Sequence, residues 1–131
     1  MSRVAKCQCG ALTAVCEGEP EYVSACHCLD CQRRSGAPFA AQARFRADRV
    51  VFHGDSRVWS RKGDEGGVAD MHFCPGCGST VWYMARSKPD LVAIPVGTMG
   101  DPAMPPPAYS VYEGRKYPWV CIIGDDIERY D

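Results

Sequence analysis

The chain has 131 residues, 46% of them hydrophobic and 24% charged, the balance of a globular protein of about one domain's size with apolar material for a core. Fifteen Lys and Arg against sixteen Asp and Glu leave a formal net charge of −1, which favours neither nucleic acid nor an anionic membrane as a partner. No apolar run approaches the roughly 20 residues of a spanning helix, and the opening MSRVAKCQCGALTAVCEG lacks the apolar stretch of an export signal, so the expected compartment is cytoplasmic.

In chain order the predicted elements are short. Residues 11–16 alternate, with Leu12, Ala14 and Cys16 on one face and Thr13 and Val15 on the other, the period of a half-buried strand. After Gly18–Pro20 comes a strand-like run at Tyr22–Ala25, then a short helix over Leu29–Ser35, closed by Gly36 with Pro38 just beyond. Further strand-like runs follow at Phe39–Phe45, Arg49–Phe52, Arg57–Ser60, Ala69–Phe73, Val81–Met84 and Leu91–Val96. Turn signals divide them at 53–55, 62–67, 88–90 and 100–102. The stretch Gly100–Pro107, with four prolines, predicts extended surface chain. Many short strands at this spacing point to a mainly β fold, a sandwich or barrel-like arrangement, with one short helix and long loops.

Nine cysteines dominate the chemistry. An odd number without an export signal argues against a disulfide framework and for metal or redox sites. Seven fall into three groups: Cys7 and Cys9; Cys26, Cys28 and Cys31; Cys74 and Cys77. Cys16 and Cys121 stand in apolar settings and read as small buried residues, and Trp59, Trp82 and Trp119 read as core. On a strand Cys7 and Cys9 share a face, and Gly10 lets the backbone pass close to a metal. Phe73-Cys74-Pro75-Gly76-Cys77-Gly78-Ser79 reads as a knuckle at a hairpin tip. Two such pairs supply the four thiolates of a closed tetrahedral zinc site. Cys26, Cys28 and Cys31 converge if the chain passes from strand to helix at Cys28, and three ligands leave a fourth position open, as in catalytic zinc sites. Spacing alone does not fix how the groups pair, and His27, His72 or Cys16 are alternative ligands for the second site. On an extended strand His27 points away from its flanking cysteines, while His53 and His72 read as ordinary strand histidines.

The order and spacing of Cys7-Gln8-Cys9-Gly10, Cys26-His27-Cys28-Leu29-Asp30-Cys31-Gln32-Arg33-Arg34-Ser35-Gly36 and Phe73-Cys74-Pro75-Gly76-Cys77-Gly78-Ser79 resemble the glutathione-dependent formaldehyde-activating enzyme (GFA) family, whose domain also occurs in centromere protein V. Ala37-Pro38-Phe39, Val96-Gly97 to Asp101-Pro102 and Tyr117-Pro118-Trp119 extend the likeness, which runs from about residue 4 to 122 of a single domain spanning 1–131. The resemblance implies antiparallel sheets in a β-tent zinc-knuckle fold and two zinc ions per chain. It assigns Cys7, Cys9, Cys74 and Cys77 to a structural zinc, and Cys26, Cys28 and Cys31 to a catalytic one. It further implies a carbon–sulfur lyase acting on thiol–aldehyde adducts such as S-hydroxymethylglutathione, formed from glutathione and formaldehyde.

A metal held by three thiolates favours a soft fourth ligand, a substrate thiol in its deprotonated form. Arg33 and Arg34, next to the ligand turn, are candidate contacts for a substrate carboxylate; their plain alternative is solvated charge at a helix end. The expected partner is therefore a small-molecule thiol or thiol–aldehyde adduct, not nucleic acid or membrane, and a homodimer is compatible with the sequence. A non-catalytic zinc-stabilised binding module of the same fold is the alternative reading.

Overall fold

A computed structural model describes residues 1–63 and 65–131, so the turn expected over 62–67 lies partly outside the described residues. The strands are β1 (Ser2–Lys6), β2 (Thr13–Glu17), β3 (Tyr22–Cys26), β4 (Ala40–Arg46), β5 (Val50–His53), β6 (Arg57–Lys62), β7 (Val68–Phe73), β8 (Thr80–Ala85), β9 (Leu91–Pro95), β10 (Tyr109–Val111) and β11 (Glu128–Arg129). The helix α1 covers Leu29–Ser35. Its end follows from Gly36, which takes the left-handed conformation at φ 71 and returns its N–H to the Gln32 carbonyl.

The strands form two open sheets, ordered β1-β2-β5 and β11-β10-β3-β4-β9-β8-β7-β6. The fold is mostly β, as the strand spacing predicts, but neither sheet closes into a barrel. Pairing is antiparallel except at one end of the larger sheet, where β10 runs parallel to both β3 and β11.

The main core joins residues of both sheets: Ala5, Leu12, Ala14, Cys16 and Val50 from the smaller sheet and its turns meet Val23, Ala43, Phe45, Val81, Trp82, Val92 and Ile94 from the larger. The alternation read at 12, 14 and 16 is this contact, with all three side chains fully buried. A bulge refines the face of β8. His72 pairs with Trp82 and Phe73 with Thr80, so Val81 has no residue opposite it. Val81 and Trp82 can therefore both join the main core, while Tyr83 packs in a separate cluster with Ala69, Met71 and Ala93.

On β3 and β4 strict alternation puts Val23, Ala43 and Phe45 into the core and leaves Tyr22, Ser24, Cys26, Gln42 and Arg44 on the other face. That second face carries the cavity described below. Arg3, 7% exposed, ties the proline-rich loop to β1 through a 2.9 Å bond from its Nε to Asp101 Oδ2.

Three apolar expectations fail. Cys121 is exposed, Trp59 on the edge strand β6 is 58% exposed, and Trp119 is 73% exposed. Trp82 and Cys16 are buried as expected.

Gly54, with φ +98, is a point where only glycine fits, since a Cβ there would run into the Ala11 carbonyl oxygen. Gly100 also has positive φ, at +56, but nothing lies within 4 Å of its added Cβ. Gly100→Ala is expected to cost about 1–2 kcal/mol of left-handed strain, and Gly54→Ala clearly more, because backbone must also move. Urea unfolding of the two variants checks the ordering, and equal costs would contradict the packing described at Ala11.

Candidate metal centres

Cys7 and Cys9 do not lie on a strand; they sit on the turn that follows β1. The turn is held by Gly10 N–H to Cys7 O (3.1 Å) and Cys7 N–H to Leu12 O (3.0 Å), with Gly10 at φ +84. It brings the two sulfurs to 3.6 Å of each other, the convergence expected of a strand pair achieved by a different route. Cys74 and Cys77 occupy the tip between β7 and β8, as the CPGC spacing predicts. There Gly78 N–H bonds Cys74 O at 2.8 Å and Cys74 N–H bonds Ser79 O at 3.0 Å.

These two tips meet. Cys9 Sγ lies 3.7 Å from Cys74 Sγ across 65 residues of chain, and all four sulfurs lie within 4.8 Å of one another. Sulfurs about 2.3 Å from a tetrahedral zinc stand about 3.8 Å apart, so the group has the size of a closed metal site. Its donors are already oriented: Leu12 N–H points at Cys7 Sγ (3.2 Å) and Gly76 N–H at Cys74 Sγ (3.3 Å). The Ser79 hydroxyl, 3.4 Å from Cys77 Sγ, and the Ser79 backbone pull the Cys77 thiol down to about 5. For Cys9 a bond with the Ala11 backbone pulls down, but its cysteine neighbours win and push the thiol up to about 11. Four crowded thiols cannot all ionise alone; a cation among them relieves that cost.

The second group is built at the β3–α1 junction. Cys26 ends β3, and Cys28 is the N-cap of α1 in extended conformation, its Sγ accepting the Cys31 N–H at 3.3 Å. Cys31 lies one turn into the helix. The strand-to-helix passage at Cys28 thus gathers three sulfurs within 4.8 Å of one another. Cys26 and Cys31 are buried and Cys28 is half-buried. Hydrogen bonding from Cys26, then Cys28 and the charges of Arg34 and Arg61, overcomes burial and lowers the Cys31 thiol to about 6. The same Cys26–Cys31 contact, with burial, pushes Cys26 up.

His27 is not part of the group. It is fully buried, and its Nε2 lies 3.1 Å from Ser110 Oγ. The Ser110 hydroxyl donates to Glu113 at 2.6 Å, so His27 is the donor through Nε2–H. Its backbone fixes the loop, with N–H to Val111 O at 3.1 Å and its carbonyl accepting from Gln32 Nε2 at 2.8 Å. His72 stacks on Trp82 and hydrogen-bonds Ser56, and Cys16 lies in the main core.

The second group opens on a cavity of about 710 Å³ on the larger sheet's outer face. Besides the three cysteines, Ser24, Gln42, Arg44, Arg61, Tyr83 and Arg33 line it. Arg33 is thus at the cavity. Arg34 is not: its guanidinium lies over the Tyr83 ring, 5.3 Å from the centroid, and it borders a second hollow with Ser35 and Phe39. Sequence reasoning missed Gln42, Arg44, Arg61 and Tyr83. The available signal was two polar residues at i and i+2 on a strand whose other face, Ala43 and Phe45, is apolar. Burial pushes the Tyr83 phenol up to about 12, so it keeps its proton, and no described residue hydrogen-bonds its hydroxyl.

The sequence model described as glutathione-dependent formaldehyde-activating enzyme matches residues 2–115. The chain belongs to this family. Among solved structures, a crystal structure of a Rhodobacter sphaeroides protein is similar, with a TM-score of 0.56, 24% identity and coverage of 76% of this chain and 91% of that one. At that identity the likeness concerns the fold alone. No curated protein matches the chain. Membership of the GFA family gives both cysteine groups a common sense: they could hold metal ions, and soft thiolate donors suit zinc. Among the described residues no helix is long and apolar enough to cross a membrane.

Proposed function

We propose that the chain, acting over 1–131 as one zinc-binding domain, makes and breaks the carbon–sulfur bond of small thiol–aldehyde adducts of the S-hydroxymethylglutathione kind. The observation that carries this reading is the three-sulfur group opening onto a cavity large enough for a small substrate. Family membership adds the reaction class by resemblance.

In this reading Cys7, Cys9, Cys74 and Cys77 would hold a structural zinc, and Cys26, Cys28 and Cys31 would hold a second beside the cavity that they line. A zinc bound by three thiolates supplies a soft Lewis-acidic position that favours the thiolate form of an incoming thiol. The overall change is balanced simply. The thiol sulfur bonds to the aldehyde carbon, the carbonyl electron pair moves to oxygen, that oxygen gains a proton and the sulfur loses one; the reverse breaks the same bond.

The chain's own residues prepare this change. Cys28 serves as helix cap as well as ligand, which fixes the sulfur's direction. Tyr83, protonated and with no acceptor among the described residues, offers its Oη hydrogen to the oxygen on which charge develops. Arg61 and Arg34 place positive charge near Cys31 and offset the negative sulfur group.

The test is exchange spectroscopy by NMR on ¹³C-formaldehyde and glutathione with the zinc-loaded chain. Interconversion with the adduct is expected to run faster than in buffer, in proportion to protein concentration. Exchange at the buffer rate with both groups loaded would favour the non-catalytic binding module instead.

A further inference from the structure

Among the described residues, the cavity over Cys26, Cys28 and Cys31 is lined by five cations, Arg33, Arg44, Arg61, Lys88 and Arg115, against one carboxylate, Asp30. Among the described residues none of the five forms an ion pair; the pairs present use Arg3, His27, Arg46, Arg86 and Arg129. Even with Arg61 offsetting the sulfur group, this excess of cations around one concavity is an anion-attracting field.

The five are not equivalent. Arg33, Lys88 and Arg115 are exposed at the rim, whereas Arg44 and Arg61 are half-buried. Sheet register explains their depth. One cross-strand row runs Tyr22, Arg44, Ala93, Tyr83, so only a methyl group stands between the Arg44 and Tyr83 side chains. Arg61 lies opposite Ala69, which lies opposite Ala85, so two more methyl groups floor the sheet beside it.

Arg44 is braced. Its Nη1 donates to Ser24 Oγ at 2.9 Å, and its guanidinium lies 5.3 Å from the Tyr22 ring centroid. The Arg61 Nε is buried with no partner among the described residues. Gln42, on the same face two residues before Arg44, is only 2% exposed. One end of its amide bonds Ser24 at 3.2 Å, and the other end has no partner, whichever way the amide is turned. Buried polar groups are nearly always satisfied, so an orphaned amide end and an orphaned guanidinium N–H beside one cavity mark where a ligand's polar groups belong.

We infer that Arg44 and Arg61 form the specificity clamp of this cavity: they hold an oxyanion of the substrate thiol, carboxylate or phosphate, and the free end of Gln42 bonds a polar group next to it. The clamp rests on the cavity being the substrate chamber of the reaction proposed above. It takes over the role that Arg33 and Arg34 suggest by sequence proximity. Rim cations draw anions in, and the two inner guanidinium groups decide which thiol stays. Neutral thiols are excluded by what they leave unpaired.

The experiment uses thioether probes, which carry no free thiol and need no reaction. S-methylglutathione and its diethyl ester are titrated by calorimetry into the zinc-loaded chain and into Arg44→Gln and Arg61→Gln. The diacid is expected to bind the unmodified chain at least about 10-fold more tightly than the diester, and each substitution to weaken the diacid about 10-fold while leaving the diester unchanged. Malonate and pyrophosphate as competitors separate the two oxyanion sources; displacement by either supports the clamp, and displacement by neither overturns it. Equal affinities for diacid and diester, or unchanged diacid binding in both variants, also overturn it. Unaltered zinc content and melting show that the variants fold. Arg44→Lys and Arg61→Lys, which keep the charge but not the paired donors, are expected to recover only part of the affinity. A chain that fails the exchange assay yet shows this charge-dependent binding would lose the proposed reaction and keep the clamp.

Discussion

Cys77→Ala is expected to release one metal ion and to lower unfolding stability by more than about 4 kcal/mol, in the range where loss of a metal site rather than of a contact is the cause. The reason lies in what the four-sulfur group joins. Its two halves, the turn after β1 and the β7–β8 tip, are 65 residues apart in the chain and meet only in the folded protein. A metal held by all four cysteines binds the native state and has almost no counterpart in the unfolded chain, so its binding free energy counts toward folding. Cys7 and Cys74 also belong to the main core, which couples the site to packing. Cys9 separates the two contributions. It is exposed, so Cys9→Ala removes little packing, and a stability loss approaching that of Cys77→Ala isolates the metal's share. Urea unfolding with metal analysis of each variant is the measurement. Unchanged stability in Cys9→Ala and Cys77→Ala would contradict a structural metal here.

Cys31→Ala is expected to do the opposite: the fold survives and the exchange reaction is lost. Cys26, Cys28 and Cys31 fall within a few residues of one another, so an unfolded chain can present the same triplet to a metal, and the native state gains little by comparison. The substitution removes one sulfur from a buried position and should cost about 1 kcal/mol. The α1 cap is kept, because the acceptor is Cys28 Sγ and the donor is the backbone N–H of residue 31. Activity behaves differently. With one ligand gone the soft fourth position is lost, and acceleration of adduct exchange should fall by at least about 100-fold. Exchange rates and thermal melting measured on the same preparation decide it. Melting as severe as in Cys77→Ala would refute the division into a folding site and a reaction site.

The contrast also shows what a sequence can carry. The helix was legible because its signals are local: Gly36 stops α1 by adopting φ 71, as its position predicts. The burial of Leu12, Ala14 and Cys16 was legible from period two. The convergence of Cys26, Cys28 and Cys31 followed from a single change of backbone state at Cys28.

Other features depend on what faces a residue. Cys121 sits among apolar neighbours yet is exposed, because the chain after Pro118 forms no strand until β11 and none of the described residues covers it. β1, β10 and β11 carry weak patterns of their own and are strands because of the partners they find. Arg44 and Arg61 are far apart in sequence and become neighbours of Tyr83 only through the register of β4, β9, β8, β7 and β6, which no short window reveals. Cys7 and Cys9 reach the expected convergence on a turn, since two sulfurs can be brought together by more than one backbone path.

The most direct test is a metal count. Protein purified from zinc-replete cells, with no metal added afterwards, is analysed by mass spectrometry for zinc per chain, beside a variant in which Cys26, Cys28 and Cys31 are all replaced by alanine. Two zinc ions per chain, falling to one in the triple variant with the fold intact, is the predicted result. A single ion in the unmodified chain, or the same count in both proteins, would mean that no metal occupies the cavity-facing group and would remove the basis for the proposed chemistry.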